Sequence, residues 1–71
     1  MNKYLVTAIS DDLMNECGGN YAAAMEKAET VVLIGLNAVF EYCGGKLYKG
    51  RCGFAGYNYG RGVNYTAVRI G

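Results

Sequence analysis

The residues of this chain that could do chemistry are aromatic and cationic, and they are concentrated in its second half. Between positions 48 and 65 they alternate along the chain as Tyr48, Lys49, Arg51, Phe54, Tyr57, Tyr59, Arg61 and Tyr65. Proteins that bind single-stranded nucleic acid use aromatic rings as platforms for bases and cations for phosphates. Protein–protein interfaces are also enriched in Tyr and Arg. The pattern therefore predicts a binding surface and leaves both classes of partner open.

Within this stretch, the eight residues 55–62 (AGYNYGRG) are predicted to form a loop between two strands. Such a loop is longer than the usual connection of a β-hairpin, and long ordered loops often carry function. Tyr48 and Tyr65 are expected to pack within strands, with only their hydroxyl groups wet. We predict that a partner is bound by Lys49, Arg51, Phe54, Tyr57, Asn58, Tyr59 and Arg61.

The charges are divided between the two parts of the chain. Residues 1–43 hold two cations and six acids, whereas residues 44–71 hold five cations and no acid. Such an asymmetry indicates a nucleic-acid, membrane or acidic-protein partner, or else two halves that neutralise each other in the fold. The net charge of the chain is only +1, which favours a protein partner over nucleic acid.

No catalytic apparatus is apparent, and we predict that the protein is not an enzyme and uses no cofactor. The chain has no histidine, which removes the commonest general base and the commonest metal ligand. The acidic residues fall in helix-like, solvated positions, where they complement helix dipoles and keep the surface polar. A cysteine nucleophile would have no base beside it.

Cys17, Cys43 and Cys52 are predicted to be free thiols. The chain shows no secretion signal, and disulfides are rare in proteins that stay inside the cell. A zinc site would need a fourth ligand, and the gaps between the cysteines match no C-x2-C knuckle, so we expect no metal. A bridge between Cys43 and Cys52 is the only disulfide that we consider.

No leader or membrane-spanning segment is predicted. The apolar stretch at residues 4–9 is short and is followed at once by two aspartates. The apolar run at residues 31–40 falls well short of the about 20 residues that a bilayer needs. We therefore expect a cytoplasmic protein with no membrane partner, a small complete gene product that folds as a single domain over residues 1–71.

The first elements have clear signals. Residues 3–9 (KYLVTAI) are β-branched and apolar on both faces, which predicts a strand buried on both sides. Ser10 is placed to cap a short helical turn that ends at Gly18 and Gly19. Asn20 is placed to cap the next helix.

Residues 21–42 allow two interpretations. Residues 31–34 are β-branched, and residues 38–43 could be a further strand that leads into a hairpin turn at Gly44. On a helical wheel, however, one polar stripe is formed by Glu26, Thr30, Asn37 and Glu41. We therefore predict one long helix, bent at Gly35 and capped by Gly44.

Strand composition returns at residues 47–54 and 63–70. The predicted fold class is α+β, with the order β-α-α-β-β and an antiparallel sheet of about three strands covered by one long helix. The apolar face of that helix is wider than such a sheet needs. This leaves surface on the helix of residues 21–42 to bury against a second copy of the chain, as a homodimer, or against a partner.

Two hypotheses for function follow. The first is a protein-binding module that acts stoichiometrically on a larger protein or nucleoprotein complex. Phage- and mobile-element-encoded inhibitors of host enzymes or host-defence complexes have this size and lack of catalytic residues, so that class is our leading hypothesis. The second is a nucleic-acid-binding protein that uses the basic, tyrosine-rich C-terminal β region.

Overall fold

The computed structural model describes residues 2–44, 46–51 and 53–71 of the chain. In chain order the elements are β1 (Lys3–Ser10), α1 (Asp11–Glu16), α2 (Tyr21–Lys27), β2 (Glu29–Ile34), α3 (Leu36–Cys43), β3 (Tyr48–Lys49), β4 (Gly53–Asn58) and β5 (Val63–Arg69). The strands of the described residues form one antiparallel sheet in the order β2-β1-β5-β4-β3. β1 and β5 therefore lie side by side in its interior.

The sequence signals at the start of the chain are confirmed. β1 runs from Lys3 to Ser10 and lies between β2 and β5. The Ser10 side chain accepts a hydrogen bond from the backbone N–H of Leu13 and so caps α1. The Asn20 side chain caps α2 in the same way, through the N–H of Ala23. Both caps satisfy helix N–H groups that would otherwise lack a partner.

The prediction of one helix over residues 21–42 is wrong. The segment forms α2, then the strand β2, then α3, and β2 ends at Gly35, which has a φ of +87°. β2 pairs with β1 in antiparallel register, with Lys3 opposite Ile34. Because β1 is an interior strand, both of its edges need backbone partners, and β2 supplies them on one side. The helical face predicted to form a homodimer therefore does not exist as one surface.

The prediction of about three strands is also wrong, since the described residues form a sheet of five. β2 adds one strand, and the segment predicted as a single strand over residues 47–54 supplies β3 and the start of β4. The first half of the predicted loop over residues 55–62 is strand, because β4 continues to Asn58. A tight turn follows, closed by the N–H of Gly62 on the carbonyl of Asn58 at 2.8 Å.

One face of the sheet is covered by α3. The core between them is formed by Tyr4, Val6, Val39, Cys43, Tyr65 and Ala67. Val39 of α3 is fully buried, and the helix ends at Cys43 with Gly44 in the left-handed conformation, the C-terminal cap that the sequence predicted. Burial of these apolar side chains is the main stabilising contribution to the fold.

The other face of the sheet is covered only in part. Ala24 of α2 and Ile9 of β1 are buried, and the hydroxyl groups of Tyr21 and Thr66 lie 3.3 Å apart, so α2 covers one end of this face. Beyond α2 the face is uncovered. We call this uncovered part the open face, and its exposed apolar side chains are Leu5, Val32, Ile34 and Val68. The prediction that the first strand is buried on both sides is therefore wrong at Leu5.

Candidate functional site

The charges are separated along the strands of the sheet. At the end where β1 begins and β5 ends lie Lys3, Lys49, Arg51 and Arg69, and we call this the basic end. At the opposite end, where β1 ends and β2 begins, lie Asp11, Asp12, Glu16 and Glu29, and we call this the acidic end. The fold thus keeps these two groups of charges apart and does not pair them with each other.

A cleft of about 320 Å³ opens at the basic end. It is lined by Tyr4, Lys49, Gly50, Arg51, Gly53, Phe54 and Arg69, and we call it the basic cleft. Tyr4 pairs with Arg69 across β1 and β5, and Lys49 pairs with Phe54 across β3 and β4. Paired residues of antiparallel strands share a face, so these four side chains lie on the side of the sheet that α3 covers. The lining contains three cations and no carboxylate.

The aromatic rings of the basic cleft belong to the hydrophobic core. Tyr4 is only 6% exposed, and Phe54 is half-buried. The Phe54 ring packs edge-on against Tyr4, with centroids 6.2 Å apart, and against Phe40, with centroids 5.8 Å apart. These rings form an apolar floor beneath the cations, and most of their surface is already used in packing.

The backbones of β4 and β5 approach each other closely beside the basic cleft. The N–H of Gly50 donates to the carbonyl of Gly53 at 2.6 Å, which closes the turn between β3 and β4. A Cβ atom at Gly53 would lie 1.9 Å from the carbonyl oxygen of Ala67 on β5, so only glycine fits here. Lys49 and Arg51 lie on either side of Gly50, whose N–H is bonded to the start of this closely packed strand.

The acidic end is held together by internal contacts. The Tyr57 hydroxyl donates to a carboxylate oxygen of Asp11 at 2.5 Å, and this hydrogen bond raises the pKa of Tyr57. The Tyr57 ring packs edge-on against Tyr59, with centroids 4.8 Å apart. The Asn58 side chain accepts a hydrogen bond from the N–H of Arg61 at 3.3 Å and stabilises the turn. Of these predicted binding residues, Tyr59 keeps the most exposed ring, at 85%.

A larger cleft of about 540 Å³ lies at the acidic end between α1, α3 and the sheet. Its charged lining residues are Asp12, Glu16, Lys27, Glu29 and Arg61. Burial raises the pKa of Tyr42 in its wall, and the neighbouring Tyr65 and Glu29 act in the same direction, whereas Arg61 opposes them. Because charges of both signs surround this cleft, it does not select an ion of one sign.

The residues predicted to bind a partner do not form one surface. The basic end holds Lys49, Arg51 and Phe54, and the acidic end holds Tyr57, Asn58, Tyr59 and Arg61. Phe54 and Asn58 stand about 13 Å apart along β4. The sequence analysis missed Tyr4 and Arg69, which enter the basic cleft through the pairing of β1 with β5. The sequence features that could have indicated them are that Arg69 is a cation within the basic half of the chain and that Tyr4 is an aromatic residue within a predicted strand.

The exposed apolar side chains of the open face were also not predicted from the sequence. Leu5 lies opposite Val32 on one side and Val68 on the other, so the three side chains form a row across the sheet. Exposure alternates along residues 30–34 of β2, but residues 31–34 are apolar on both faces, so no alternation of apolar and polar residues appears there in the sequence. The usual signal of a strand with one solvent-facing side is therefore absent.

Cys17 and Cys43 are free and do not line the basic cleft. Burial raises the pKa of the Cys43 thiol, which lowers its reactivity. The prediction for Cys52, with the bridge to Cys43, lies outside the described residues. Within the described ranges, no group of three or more His, Cys, Asp or Glu side chains could hold a metal ion, and no helix is long and apolar enough to cross a membrane.

Comparisons of the chain with family models, with curated proteins and with solved structures give no match. What the site does is therefore inferred from its own geometry and charge. Two features lie together at the basic end: the basic cleft on the side of α3, and the open face on the other side of the sheet.

Proposed function

We propose that the protein is a non-enzymatic binding module that docks on a larger protein through the open face. The observation that carries this proposal is the group of four apolar side chains that α2 leaves uncovered, each between 36% and 55% exposed. Leu5, Val32 and Val68 are adjacent across three strands, with Ile34 next along β2. A contiguous apolar patch of this kind on a small protein marks an interaction site.

The surroundings of the open face suit a protein interface. Tyr48 is 77% exposed and pairs with Ala55, which places it on the same side of the sheet. Tyrosine is one of the residues enriched among binding hot spots. Lys3 lies opposite Ile34 and supplies a charged border at the basic end. Protein–protein interfaces usually have an apolar centre that is surrounded by polar residues.

The same proposal covers the hypothesis of an inhibitor encoded by a phage or a mobile element. A module that binds by occupying a surface acts in proportion to its amount. Its addition should therefore reduce the activity of the partner linearly up to an equimolar ratio, and then have no further effect. A catalytic agent would instead act at far below equimolar amounts, and that result would contradict the proposal.

Nucleic-acid binding is the second candidate, and the three cations of the basic cleft favour it. The third cation of the predicted binding residues, Arg61, is not part of this cleft and lies at the other end of β4, beside carboxylates. Lys46 lies beside the middle of β4, near Asn58, but a phosphate backbone that continued to Arg61 would meet the carboxylates of the acidic end, and the Tyr4 and Phe54 rings are used in packing. These features support a protein partner more strongly than a nucleic-acid partner.

The test is capture of partners from a nuclease-treated host lysate by the wild-type chain and by two variants. Val32→Lys places a charge in the centre of the open face, and lysine is tolerated on an edge strand such as β2. Asn15→Lys adds the same charge at an exposed position of α1 and is the matched control. The partner that mass spectrometry identifies is then titrated by calorimetry to measure affinity and stoichiometry.

We expect one partner to be retained by the wild type and by Asn15→Lys, with a 1:1 stoichiometry. Val32→Lys should weaken its binding by about tenfold or more while the protein stays folded. Equal binding by both variants would overturn the proposal, as would capture that disappears after nuclease treatment. A dimer in sedimentation equilibrium that Val32→Lys converts to monomer would instead assign the open face to a second copy of the chain.

A further inference from the structure

We propose that the basic cleft binds carboxylate side chains from an acidic segment of the protein that covers the open face. This inference rests on the proposed function and adds the chemistry of the partner to it. Both surfaces lie at the basic end of the sheet, on its two sides. A partner that covers Leu5 and Val68 and wraps around the end of β5 reaches the cleft beside Arg69.

The charges of the basic cleft select an anion. Lys49, Arg51 and Arg69 line it, and no carboxylate side chain is among the described residues of the lining. Lys49 and Arg51 are exposed, so their charged groups are accessible to a ligand. The Nε–H of Arg69 donates to a backbone oxygen of Gly71 at 3.3 Å, which occupies one of its donors and positions the guanidinium group at the end of β5. Guanidinium and ammonium groups form charge-assisted hydrogen bonds with carboxylates.

The floor of the basic cleft favours a glutamate side chain over a bare inorganic anion. The rings of Tyr4 and Phe54, together with Gly50 and Gly53, present apolar surface below the cations. A glutamate side chain carries two methylene groups that can pack on such a surface while its carboxylate meets the cations. The volume of about 320 Å³ accommodates one or two side chains. The cleft is therefore matched to a short acidic segment.

Three features favour an acidic protein segment over nucleic acid in this cleft. The three cations of the cleft cluster at one end of the sheet, and a phosphate backbone that continued past Lys46 towards Arg61 would meet the carboxylates of the acidic end. The Phe54 ring packs against both Tyr4 and Phe40, which leaves no flat platform for a base. The neighbouring open face is apolar, and a phosphate backbone cannot cover it favourably.

The test needs no knowledge of the partner. The ¹⁵N-labelled chain is titrated with a blocked hexaglutamate peptide at low salt, and the amide shifts are followed by NMR. A hexaglutamine peptide is the uncharged control. A single-stranded thymidine hexanucleotide at the same ionic strength tests whether the cleft prefers phosphate groups to carboxylates. The variants are Arg51→Glu at the basic cleft, Arg61→Glu at the acidic end as the matched charge change, and Val32→Lys on the open face.

We expect saturable shifts at Lys49, Gly50, Gly53 and Arg69 with hexaglutamate and none with hexaglutamine. Arg51→Glu should weaken hexaglutamate binding about tenfold, and Arg61→Glu should change it by less than about twofold. No localised shifts, or equal losses in both variants, would overturn the inference. Tighter binding of the hexanucleotide than of hexaglutamate at the same residues would also overturn it and assign the cleft to nucleic acid.

The failures of the two proposals are distinguishable. Val32→Lys should keep hexaglutamate binding because position 32 lies on the opposite face of the sheet from the basic cleft. If Val32→Lys loses the captured partner and Arg51→Glu does not weaken it, the open face is the docking surface and the basic cleft is not part of it. If hexaglutamate binds but Val32→Lys keeps the partner, the cleft is an anion site and the proposed function is wrong.

Discussion

Tyr57 and Asp11 at the acidic end hold each other through a hydrogen bond, whereas Lys49 and Arg51 at the basic end stand beside a cleft whose lining includes no carboxylate. Both ends carry tyrosines and cations, so these two residue types alone do not separate them. The separation comes from what each side chain contacts. At the acidic end the polar groups support the turn and α1, and at the basic end the cations remain available to a ligand.

The largest effect that would sharpen this comparison is expected from one glycine at each end. Gly53→Ala should lower the free energy of unfolding by about 2 to 3 kcal/mol, because its Cβ would force β4 away from β5 at Ala67. Gly60→Ala is the matched control, since its Cβ would meet only the Asn58 side chain at 3.4 Å. It should cost less than about 0.5 kcal/mol in urea unfolding. Equal costs would show that the cleft does not depend on this close approach.

A smaller effect is expected where the acidic end begins. Ser10→Ala removes the side-chain oxygen that accepts the N–H of Leu13, and should destabilise the fold by about 1 kcal/mol. Ser10→Asp keeps an acceptor at this position and should restore most of the loss. Thermal unfolding of the three proteins measures both changes. If Ser10→Ala unfolds at the wild-type temperature, α1 is held by its packing and not by this cap.

The smallest effect is a pH dependence at the acidic end. The hydrogen bond to Asp11 raises the pKa of Tyr57 above its ordinary value of 10.0, so the folded state holds this proton more tightly than the unfolded state. The resulting stability is fully present below pH 10.0 and is lost as the pH rises through the raised pKa.

Tyr57→Phe should therefore show a smaller fall in unfolding free energy between neutral and strongly alkaline pH than the wild type. Asp11→Asn removes the charged acceptor of this hydrogen bond and should reduce the same fall in unfolding free energy. Urea unfolding at a series of pH values measures both. If the unfolding free energy of Tyr57→Phe falls as steeply at alkaline pH as that of the wild type, this contact contributes nothing to the pH dependence.

Local signals predicted local structure well. Ser10, Asn20 and Gly44 cap helices as their residue types indicate, because capping depends on side chains and backbone within a few residues. The strands at the two ends of the chain were also predicted close to their observed bounds, since β-branched and apolar residues dominate both.

Residues 21–42 were misassigned because their two signals conflict. The polar stripe that contains Thr30 and Asn37 fits a helix, but the β-branched run before Gly35 fits a strand. The conflict is resolved by β1, which lies 20 or more residues earlier and needs a backbone partner on its second edge. A local pattern carries no information on such a pairing.

The candidate site was predicted in part. The sequence by itself determined that five of the seven cations lie in residues 44–71, a stretch without acidic side chains, which predicted a basic surface. Only the tertiary structure decided that Arg51 and Arg69 share one cleft while Arg61 lies at the other end of the sheet. The reason is that antiparallel pairing reverses the chain direction at each strand. The pairing of β1 with β5 thereby brings Tyr4 beside Arg69 from opposite ends of the chain, whereas Phe54 and Asn58, close in sequence, lie at opposite ends of the extended strand β4.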